Sequence, residues 1–340
     1  MITAQPPSSQ QEPRHAPVRW QQLWRDAIRE PAELLDLLGL PQLASRVSAT
    51  ASIQFAMRVP RGFAARMRHG DPDDPLLRQV LPLDEEDRVV PGFDLDAVGD
   101  LDASGGAGIL HKYEGRALLV ATGSCAIHCR YCFRRHFPYG EQTAAAGQWR
   151  ESLDYLAADP SISEVLLSGG DPLSLSTPKL AEFTDALARL PHVRRLRLHT
   201  RLPVVLPERV DAELLAWLSA LPQRVVVVIH ANHANEIDES VARAVARLRD
   251  AGATVLNQAV LLRGVNDSVP ALADLSDRLF DAGVLPYYLH LLDRVAGSAH
   301  FEVPVDEAKQ LHEMLSARLP GYLVPRLVRE VAGAPAKLPA

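Results

Sequence analysis

The chain has 340 residues, of which 47% are hydrophobic and 23% are charged, and its formal net charge is −6. This length suits about two ordinary domains or one α/β barrel, and the composition is typical of a soluble globular protein. The negative balance argues against a general nucleic-acid or anionic-membrane binder, although a local basic patch stays open. No apolar run approaches the roughly 18 residues that span a bilayer.

The first 18 residues are polar and rich in proline, and they contain no hydrophobic stretch of the kind found in secretory signals. We predict a disordered tail over residues 1–18 in a cytoplasmic protein. Two amphipathic helical patterns follow over residues 19–30 and 31–40, and residues 41–115 mix a helix with loops rich in proline and aspartate. Residues 19–115 are therefore predicted to form an N-terminal helical extension.

From residue 116 onward, apolar strand patterns alternate with helical patterns. The strands are predicted at residues 117–121, 164–168, 195–200, 225–230, 254–260 and 287–291. The helices between them are predicted at residues 149–158, 178–190, 211–221, 239–251 and 270–282. This alternation predicts an α/β fold with a parallel sheet, and six units suit a partial (β/α)6 TIM-like barrel over residues 116–340. Active sites of such barrels lie at the carboxyl ends of the strands.

All three cysteines of the chain, Cys125, Cys129 and Cys132, fall within eight residues directly after the first predicted barrel strand. An odd and clustered set is a poor disulfide framework, and in a reducing compartment it indicates metal or redox chemistry. Three thiolates can hold three irons of a cubane, which leaves a fourth iron open to chelate a small molecule. A zinc site completed by His128 or His136, or three unrelated thiols, stay open as alternatives.

Three more features lie further along the chain. Residues 168–171, Ser-Gly-Gly-Asp, close the second predicted strand, and the glycines are expected to leave backbone amides open to a ligand, although Gly-Gly-Asp is also an ordinary turn. Gln258 in the fifth strand is either a ligand contact or a buried amide. Only four of the 36 basic residues are lysines, and Lys337 lies in the small-residue stretch VAGAPAKLPA. On composition alone, Lys337 is interpreted as a solvated lysine.

The cysteine spacing, with Tyr131 before the last cysteine, resembles the radical S-adenosylmethionine superfamily. From about residue 54 onward, longer segments resemble the lysine 2,3-aminomutase family within it, namely CRYCFRRHFPYG, LHTRLPVVLPERV, IHANHANEI and NQAVLLRGVND. The resemblance implies a radical SAM core barrel, a [4Fe–4S] cluster on the three cysteines, and S-adenosyl-L-methionine chelated to the fourth iron. It also implies pyridoxal 5′-phosphate as a second cofactor, held by a lysine in a C-terminal loop.

The resemblance further implies roles for individual residues. Lys337 would be the catalytic lysine that holds pyridoxal phosphate as a Schiff base. Arg134 would pair with the substrate carboxylate, and Asp293 and Glu330 would bind the ε-ammonium group. The other cofactor-binding residues would be Lys112, Tyr113, Arg116, Ser168, Gly169, Gly170, Asp171, His230 and Gln258. Ordinary loop charges or a helix cap remain the alternatives for the charged members of these sets.

The sequence departs from the family pattern at several points. The loop before Lys337 is Ala-Gly-Ala-Pro-Ala where the family is richer in glycine. Lys112 stands where arginine is common, and Glu330 stands where the family has aspartate. The zinc-binding extension of catabolic members has no counterpart in this sequence.

The implied function is that of an isomerase, which converts L-lysine into (R)-β-lysine after a 5′-deoxyadenosyl radical removes a hydrogen from Cβ. Segments such as RVPRGFAARM and GDPDDPLL resemble the branch that modifies elongation factor P, where a separate lysyl ligase attaches the product. Expected partners are L-lysine and a flavodoxin- or ferredoxin-type electron donor, without nucleic acid or membrane, and a homo-oligomer stays open. The alternatives are a catabolic lysine 2,3-aminomutase, another amino-acid 2,3-aminomutase, a radical enzyme without pyridoxal phosphate, and a non-enzymatic iron–sulfur or zinc protein.

Overall fold

The computed structural model describes residues 19–101, 103, 108–139, 143–145 and 149–340. The predicted disordered tail over residues 1–18 lies outside this part of the chain. Within these ranges, no helix combines the length and the apolar character needed to cross a bilayer.

Residues 19–101 contain five short helices: α1 (Trp20–Arg25), α2 (Pro31–Leu38), α3 (Ala49–Gln54), α4 (Arg61–Ala64) and α5 (Pro75–Arg78). Local signals explain their ends, since Gly39 has a φ of 66° after α2 and the Asp74 side chain accepts two backbone amides at the start of α5. Apolar residues of this segment join the same hydrophobic core as the barrel residues. The segment therefore packs onto the barrel, and its standing as a separate extension stays a prediction.

Among the described residues, one sheet contains nine strands in chain order. They are β1 (Ile109–Tyr113), β2 (Arg116–Thr122), β3 (Glu164–Gly169), β4 (Arg195–Thr200), β5 (Arg224–His230), β6 (Thr254–Val260), β7 (Leu285–His290), β8 (Arg326–Arg329) and β9 (Leu338–Pro339). Strands β2 to β8 are parallel to their neighbours, whereas β1 pairs antiparallel with β2 and β9 pairs antiparallel with β8. The six predicted strands are confirmed as β2 to β7.

Strands β1, β8 and β9 are not predicted from the sequence. Strand β1 contains Lys112 and Tyr113, which the sequence analysis assigns to a loop, and a turn with Gly115 at a φ of 73° joins it to β2. The sheet therefore begins within the segment predicted as a helical extension. Strand β8 has four residues with exposed arginines at both ends, so its own pattern is too short and too charged to indicate a strand.

Seven helices follow from residue 149 onward: α6 (Arg150–Ala158), α7 (Thr177–Leu187), α8 (Leu202–Val205), α9 (Ala212–Ala220), α10 (Glu239–Asp250), α11 (Val269–Asp281) and α12 (Val305–Arg318). The side chains of Asp211, Asp238 and Ser268 accept backbone amides at the starts of α9, α10 and α11. The buried residues of α10 recur every three or four positions, as expected for one face of a helix: Val241, Ala244, Val245 and Leu248. Because the helices connect parallel strands, the carboxyl ends of these strands all lie at the same end of the barrel.

Candidate active site

A cavity of about 270 Å³ lies at the carboxyl ends of the strands. All the site residues predicted from the sequence line it, namely Lys112, Tyr113, Arg116, Cys125, Cys129, Cys132, Arg134, Ser168, Gly169, Gly170, Asp171, His230, Gln258, Asp293, Glu330 and Lys337. Because these residues come from strands far apart in sequence, the fold brings into one space what the sequence shows only as separate motifs.

The cysteine loop directly follows β2, and its three thiols are free. Burial, together with the nearby Cys129, raises the pKa of Cys132 to about 11. Burial, together with the nearby Cys132, raises the pKa of Cys125 well above its usual value. These groups therefore hold protons until a cation replaces them, as thiolate ligands do. Among the described residues, no three His, Cys, Asp or Glu side chains converge on a single-ion site. A cubane needs no such convergence, because each thiolate binds its own iron.

The segment before the barrel holds the cysteine loop in place. Arg130 donates from Nε and Nη2 to the two carboxylate oxygens of Glu86, both at 2.7 Å. Arg135 donates to the same carboxylate at 2.8 Å. All three side chains are buried. The two histidines of the zinc alternative also contact backbone, His128 through Nδ1 to the Ala56 carbonyl and His136 through Nε2 to the Ala296 carbonyl.

The Gly-Gly-Asp turn after β3 packs directly against the start of the cysteine loop. The amide of Gly170 donates to the Thr122 carbonyl at 2.6 Å, and the amide of Asp171 donates to the Ser124 carbonyl at 2.7 Å. The Gly170 amide is therefore not open to a ligand, which corrects that part of the sequence interpretation for Gly170. A Cβ on Gly170 would lie 2.5 Å from the Ser124 oxygen, and Gly169 has a φ of 113°. The two glycines are thus required by close backbone approach and by backbone conformation.

Asp171 ties the ends of β3 and β4 together. Its carboxylate accepts the Thr200 hydroxyl at 2.7 Å and the backbone amides of Arg201 and Leu202 at 2.7 and 3.0 Å. Burial raises the pKa of this carboxyl although these hydrogen bonds oppose the rise. Asp171 therefore shapes the cavity wall by fixing two strand ends relative to each other.

Lys337 reaches the cavity because β9 folds back onto β8. Its Nζ donates to Oε2 of Glu330 at 2.8 Å, and Oε1 of Glu330 accepts the Tyr113 hydroxyl at 2.8 Å. Burial raises the pKa of Glu330, but Lys337 outweighs it and the net shift is downward. The amine also lies 5.8 Å from the centre of the Tyr288 ring. Lys337 is thus a cavity residue rather than the solvated lysine that composition alone indicates.

Arg134 and Lys112 share one buried acid, Asp100, which the sequence analysis misses. Arg134 Nε lies 2.7 Å from Oδ2 of Asp100, and Lys112 Nζ lies 2.6 Å from Oδ1. Burial raises the pKa of Asp100, but the two cations reverse the shift and lower it. The sequence does not single out Asp100, because it is one of several aspartates in a stretch that predicts loops. The two predicted anion-binding cations are therefore held next to each other.

Three histidines at strand ends line the same cavity. Burial lowers the pKa of His230 to about 3 and lowers the pKa of His199 and His290 well below the usual value. His230 Nε2 lies 2.8 Å from the Tyr131 hydroxyl, and His230 pairs in register with Gln258 on β6. Imidazoles with such lowered pKa values are neutral at physiological pH, and His230 acts as a hydrogen-bonding group rather than as a cation.

Comparisons with known proteins agree with this geometry. Residues 119–275 match the radical SAM superfamily. The L-lysine 2,3-aminomutase of Escherichia coli (strain K12) is 48% identical over 94% of this chain and 94% of its own length. The enzyme of that name from Haemophilus influenzae is 45% identical over 96% of this chain and 97% of its own. The one from Clostridium subterminale is 34% identical over 94% of this chain and 77% of its own.

The chain belongs to the lysine 2,3-aminomutase family. As a member of this family of radical SAM enzymes it is an isomerase, and its α/β fold is a radical SAM partial barrel. A solved radical SAM methyltransferase from Sphaerobacter thermophilus aligns over 65% of this chain and 68% of its own, with a TM-score of 0.46 and 16% identity.

For this lysine 2,3-aminomutase family member, we expect Gly170→Ala to weaken S-adenosylmethionine binding at least about tenfold and to lower the melting temperature. The new Cβ would push the Ser124 backbone and with it the start of the cysteine loop. Equilibrium binding to anaerobically loaded protein and thermal melting measure both effects. Gly62→Ala is the matched control, since a Cβ there meets nothing within 4 Å. Unchanged affinity in Gly170→Ala would contradict the packing argument.

Asp293 follows β7, and burial raises its pKa to about 7 even though Lys337 opposes the rise. Only the ionised carboxylate attracts an ammonium group, so we expect kcat/KM for L-lysine to fall about tenfold per pH unit below about pH 7. Initial rates between about pH 6 and pH 8 measure this limb. Asp293→Asn cannot titrate and is expected to lose the limb in its residual activity. A flat wild-type profile would show that Asp293 does not bind the substrate cation.

Proposed function

We propose that this chain is a pyridoxal phosphate-dependent L-lysine 2,3-aminomutase that converts (S)-α-lysine into (R)-β-lysine with a [4Fe–4S] cluster and S-adenosylmethionine. One observation carries the proposal: a single cavity is lined by the three cysteines and also by Lys337, Arg134 and Asp293. A radical generator and an amino-acid site would therefore share one cavity, so that the radical forms next to its target.

The residues present fit both cofactors. Three free thiols in one loop at the cavity wall suit a soft, thiolate-binding iron–sulfur cluster on Cys125, Cys129 and Cys132. Lys337 would hold pyridoxal phosphate, with Lys112 and Arg116 supplying positive charge for the phosphate. When bound, the cluster supplies the electron that cleaves S-adenosylmethionine, and pyridoxal phosphate supplies the π-system that stabilises the migrating nitrogen.

The chain's own residues orient the substrate and position the reactive lysine. The guanidinium of Arg134, fixed by Asp100 and by the Ser168 hydroxyl at 3.2 Å, would bind the substrate carboxylate. Asp293 would bind the ε-ammonium group. Glu330 accepts a hydrogen bond from Lys337 Nζ, so it holds the amine at a fixed place in the cavity. The longer side chain of Glu330 allows contact with both Lys337 and Tyr113.

The test is anaerobic incubation of reconstituted protein with labelled L-lysine, S-adenosylmethionine, pyridoxal phosphate and dithionite, followed by chiral chromatography. The proposal expects β-lysine with the R configuration and no product when pyridoxal phosphate is omitted. Formation of 5′-deoxyadenosine without β-lysine would point to another radical reaction. Product without pyridoxal phosphate would remove the second cofactor from the proposal.

A second part of the proposal concerns the use of the product, (R)-β-lysine. The segments over residues 58–67 and 70–77 support modification of elongation factor P, with attachment of (R)-β-lysine by a separate lysyl ligase. The required reductant is a one-electron carrier of flavodoxin or ferredoxin type in a reducing, cytoplasmic compartment. Incubating the enzyme, the ligase and elongation factor P with labelled lysine should label the factor. Label that appears equally without this enzyme would overturn this destination.

A further inference from the structure

Arg201 lines the same cavity and contacts the cysteine loop. It follows β4, is 7% exposed, and its Nη1 lies 2.6 Å from Cys129 Sγ and 2.9 Å from the Tyr131 hydroxyl. Arg201 is absent from the site residues indicated by the sequence. Its contact with a sulfur of the cysteine set raises the question of what a buried cation does there.

The guanidinium is fixed from both ends. Its Nη2 donates to Gln79 Oε1 at 2.6 Å and to Glu236 Oε2 at 2.8 Å. Glu236 is fully buried and accepts the Asn232 amide at 2.8 Å, while the Arg201 backbone amide donates to Asp171. Arg201 therefore cannot move away from Cys129 without breaking several buried hydrogen bonds and leaving their partners unpaired.

The electrostatics favour a permanent cation. An arginine guanidinium keeps its proton in proteins, and Arg201 also has the Glu236 carboxylate as an ion-pair partner at 2.8 Å. Hydrogen bonds to cluster sulfurs and nearby charge are among the factors that set the reduction potential of iron–sulfur clusters. In a low-dielectric interior, a fixed positive charge stabilises the state that carries one more electron.

We infer that Arg201 is a positioning residue that holds a charged hydrogen bond on Cys129 and raises the reduction potential of the cluster; this rests on the function proposed above, with the cluster on the three cysteines. The step concerned transfers one electron from a low-potential reductant such as dithionite to the cluster, which passes from the 2+ to the 1+ state. No bond forms or breaks in this step. Arg201 thus makes the cluster easier to reduce before S-adenosylmethionine is cleaved.

The test compares the single variant Glu236→Gln with the double variant Arg201→Met/Glu236→Gln. Removing Arg201 alone would leave the buried Glu236 carboxylate unpaired, and the Glu236→Gln background avoids this. Both are reconstituted anaerobically, and the potential of the loaded fraction is titrated by electron paramagnetic resonance. The double variant should be at least about tenfold harder to reduce, a shift of about 59 mV to more negative potential. Arg201→Lys, which keeps the charge with fewer donors, should shift in the same direction by less. Resonance Raman spectra should show a changed Fe–S stretch for a cysteine in each Arg201 variant.

Arg209→Met is the matched control. Arg209 is also fully buried, but it donates to the carbonyls of Leu173 and Leu175, so its loss should lower stability and leave the potential unchanged. Equal potentials for the two Glu236 variants would overturn the inference. So would failure of every Arg201 variant to load a cluster while Arg209→Met loads, because that marks a role in retention alone. If wild-type protein loads no cluster, the proposed function itself fails.

Discussion

Replacing Lys337 with alanine is expected to lower β-lysine formation at least about a thousandfold, which corresponds to about 4 kcal/mol of transition-state stabilisation. The reason is that Lys337 supplies the only amine through which the chain is proposed to hold pyridoxal phosphate covalently. Its Nζ is already held in the cavity by Glu330 at 2.8 Å. The measurement is visible absorbance of the bound cofactor, together with borohydride reduction and mass spectrometry of the peptide that contains residue 337.

The control for this variant is Lys179→Ala. Lys179 lies on α7 and pairs with Glu182 at 2.9 Å on the helix surface, so its loss removes a lysine without touching the cavity. Cluster content and thermal stability of Lys337→Ala should stay near those of the wild type. Borohydride-sensitive absorbance that persists in Lys337→Ala would show that the Schiff base forms on another amine.

Replacing Cys132 with alanine is expected to abolish cluster assembly and to reduce 5′-deoxyadenosine formation at least about a thousandfold, again about 4 kcal/mol. Two thiolates cannot hold a cubane that also leaves one iron open for S-adenosylmethionine. Iron and sulfide content after reconstitution, and 5′-deoxyadenosine after addition of dithionite, measure the effect. Cys125→Ala and Cys129→Ala are expected to behave in the same way.

His128→Ala separates the cluster from the zinc alternative. His128 contacts the Ala56 carbonyl and stacks on Phe55, so its loss is expected to cost about 1 kcal/mol of stability and to leave the cluster assembled. A structural zinc site would instead need a fourth ligand beyond the three cysteines. Loss of metal from His128→Ala, with zinc rather than iron in the wild type, would therefore refute the cluster.

The departures from the family pattern change contacts inside the cavity rather than its location. Glu330 contacts Lys337 and Tyr113 at the same time, which links the lysine to the β1–β2 hairpin. Lys112, which stands where arginine is common, pairs with Asp100 and thereby with Arg134. The groups proposed for the cofactor phosphate, the amine and the substrate carboxylate are consequently coupled through two acids, the buried Asp100 and the partly buried Glu330. Substitution at any of these positions is expected to affect both cofactor and substrate binding.

Much of the barrel could be predicted because its strands are local, apolar and about equally spaced. Strands β2 to β7 each carry enough apolar residues to be recognised alone, and the cysteines follow the first of them directly. Strand β8 could not be found this way, since its pairing with β7 and not its composition makes it a strand. Strand β1 could not be predicted either, because its residues Lys112 and Tyr113 are polar and line the cavity.

The sequence by itself determined the parts that depend on residue type and short spacing. Three soft ligands within eight residues, six strand–helix units, and one lysine in a small-residue loop all require only local chemistry. Only the tertiary structure decided which groups act on each other. Glu330 meets Lys337 because β9 returns antiparallel to β8, and Arg201 meets Cys129 because the segments that follow β2 and β4 come together across the end of β3. These contacts join residues from different strands, and no local pattern encodes a distance that arises from the closure of the sheet.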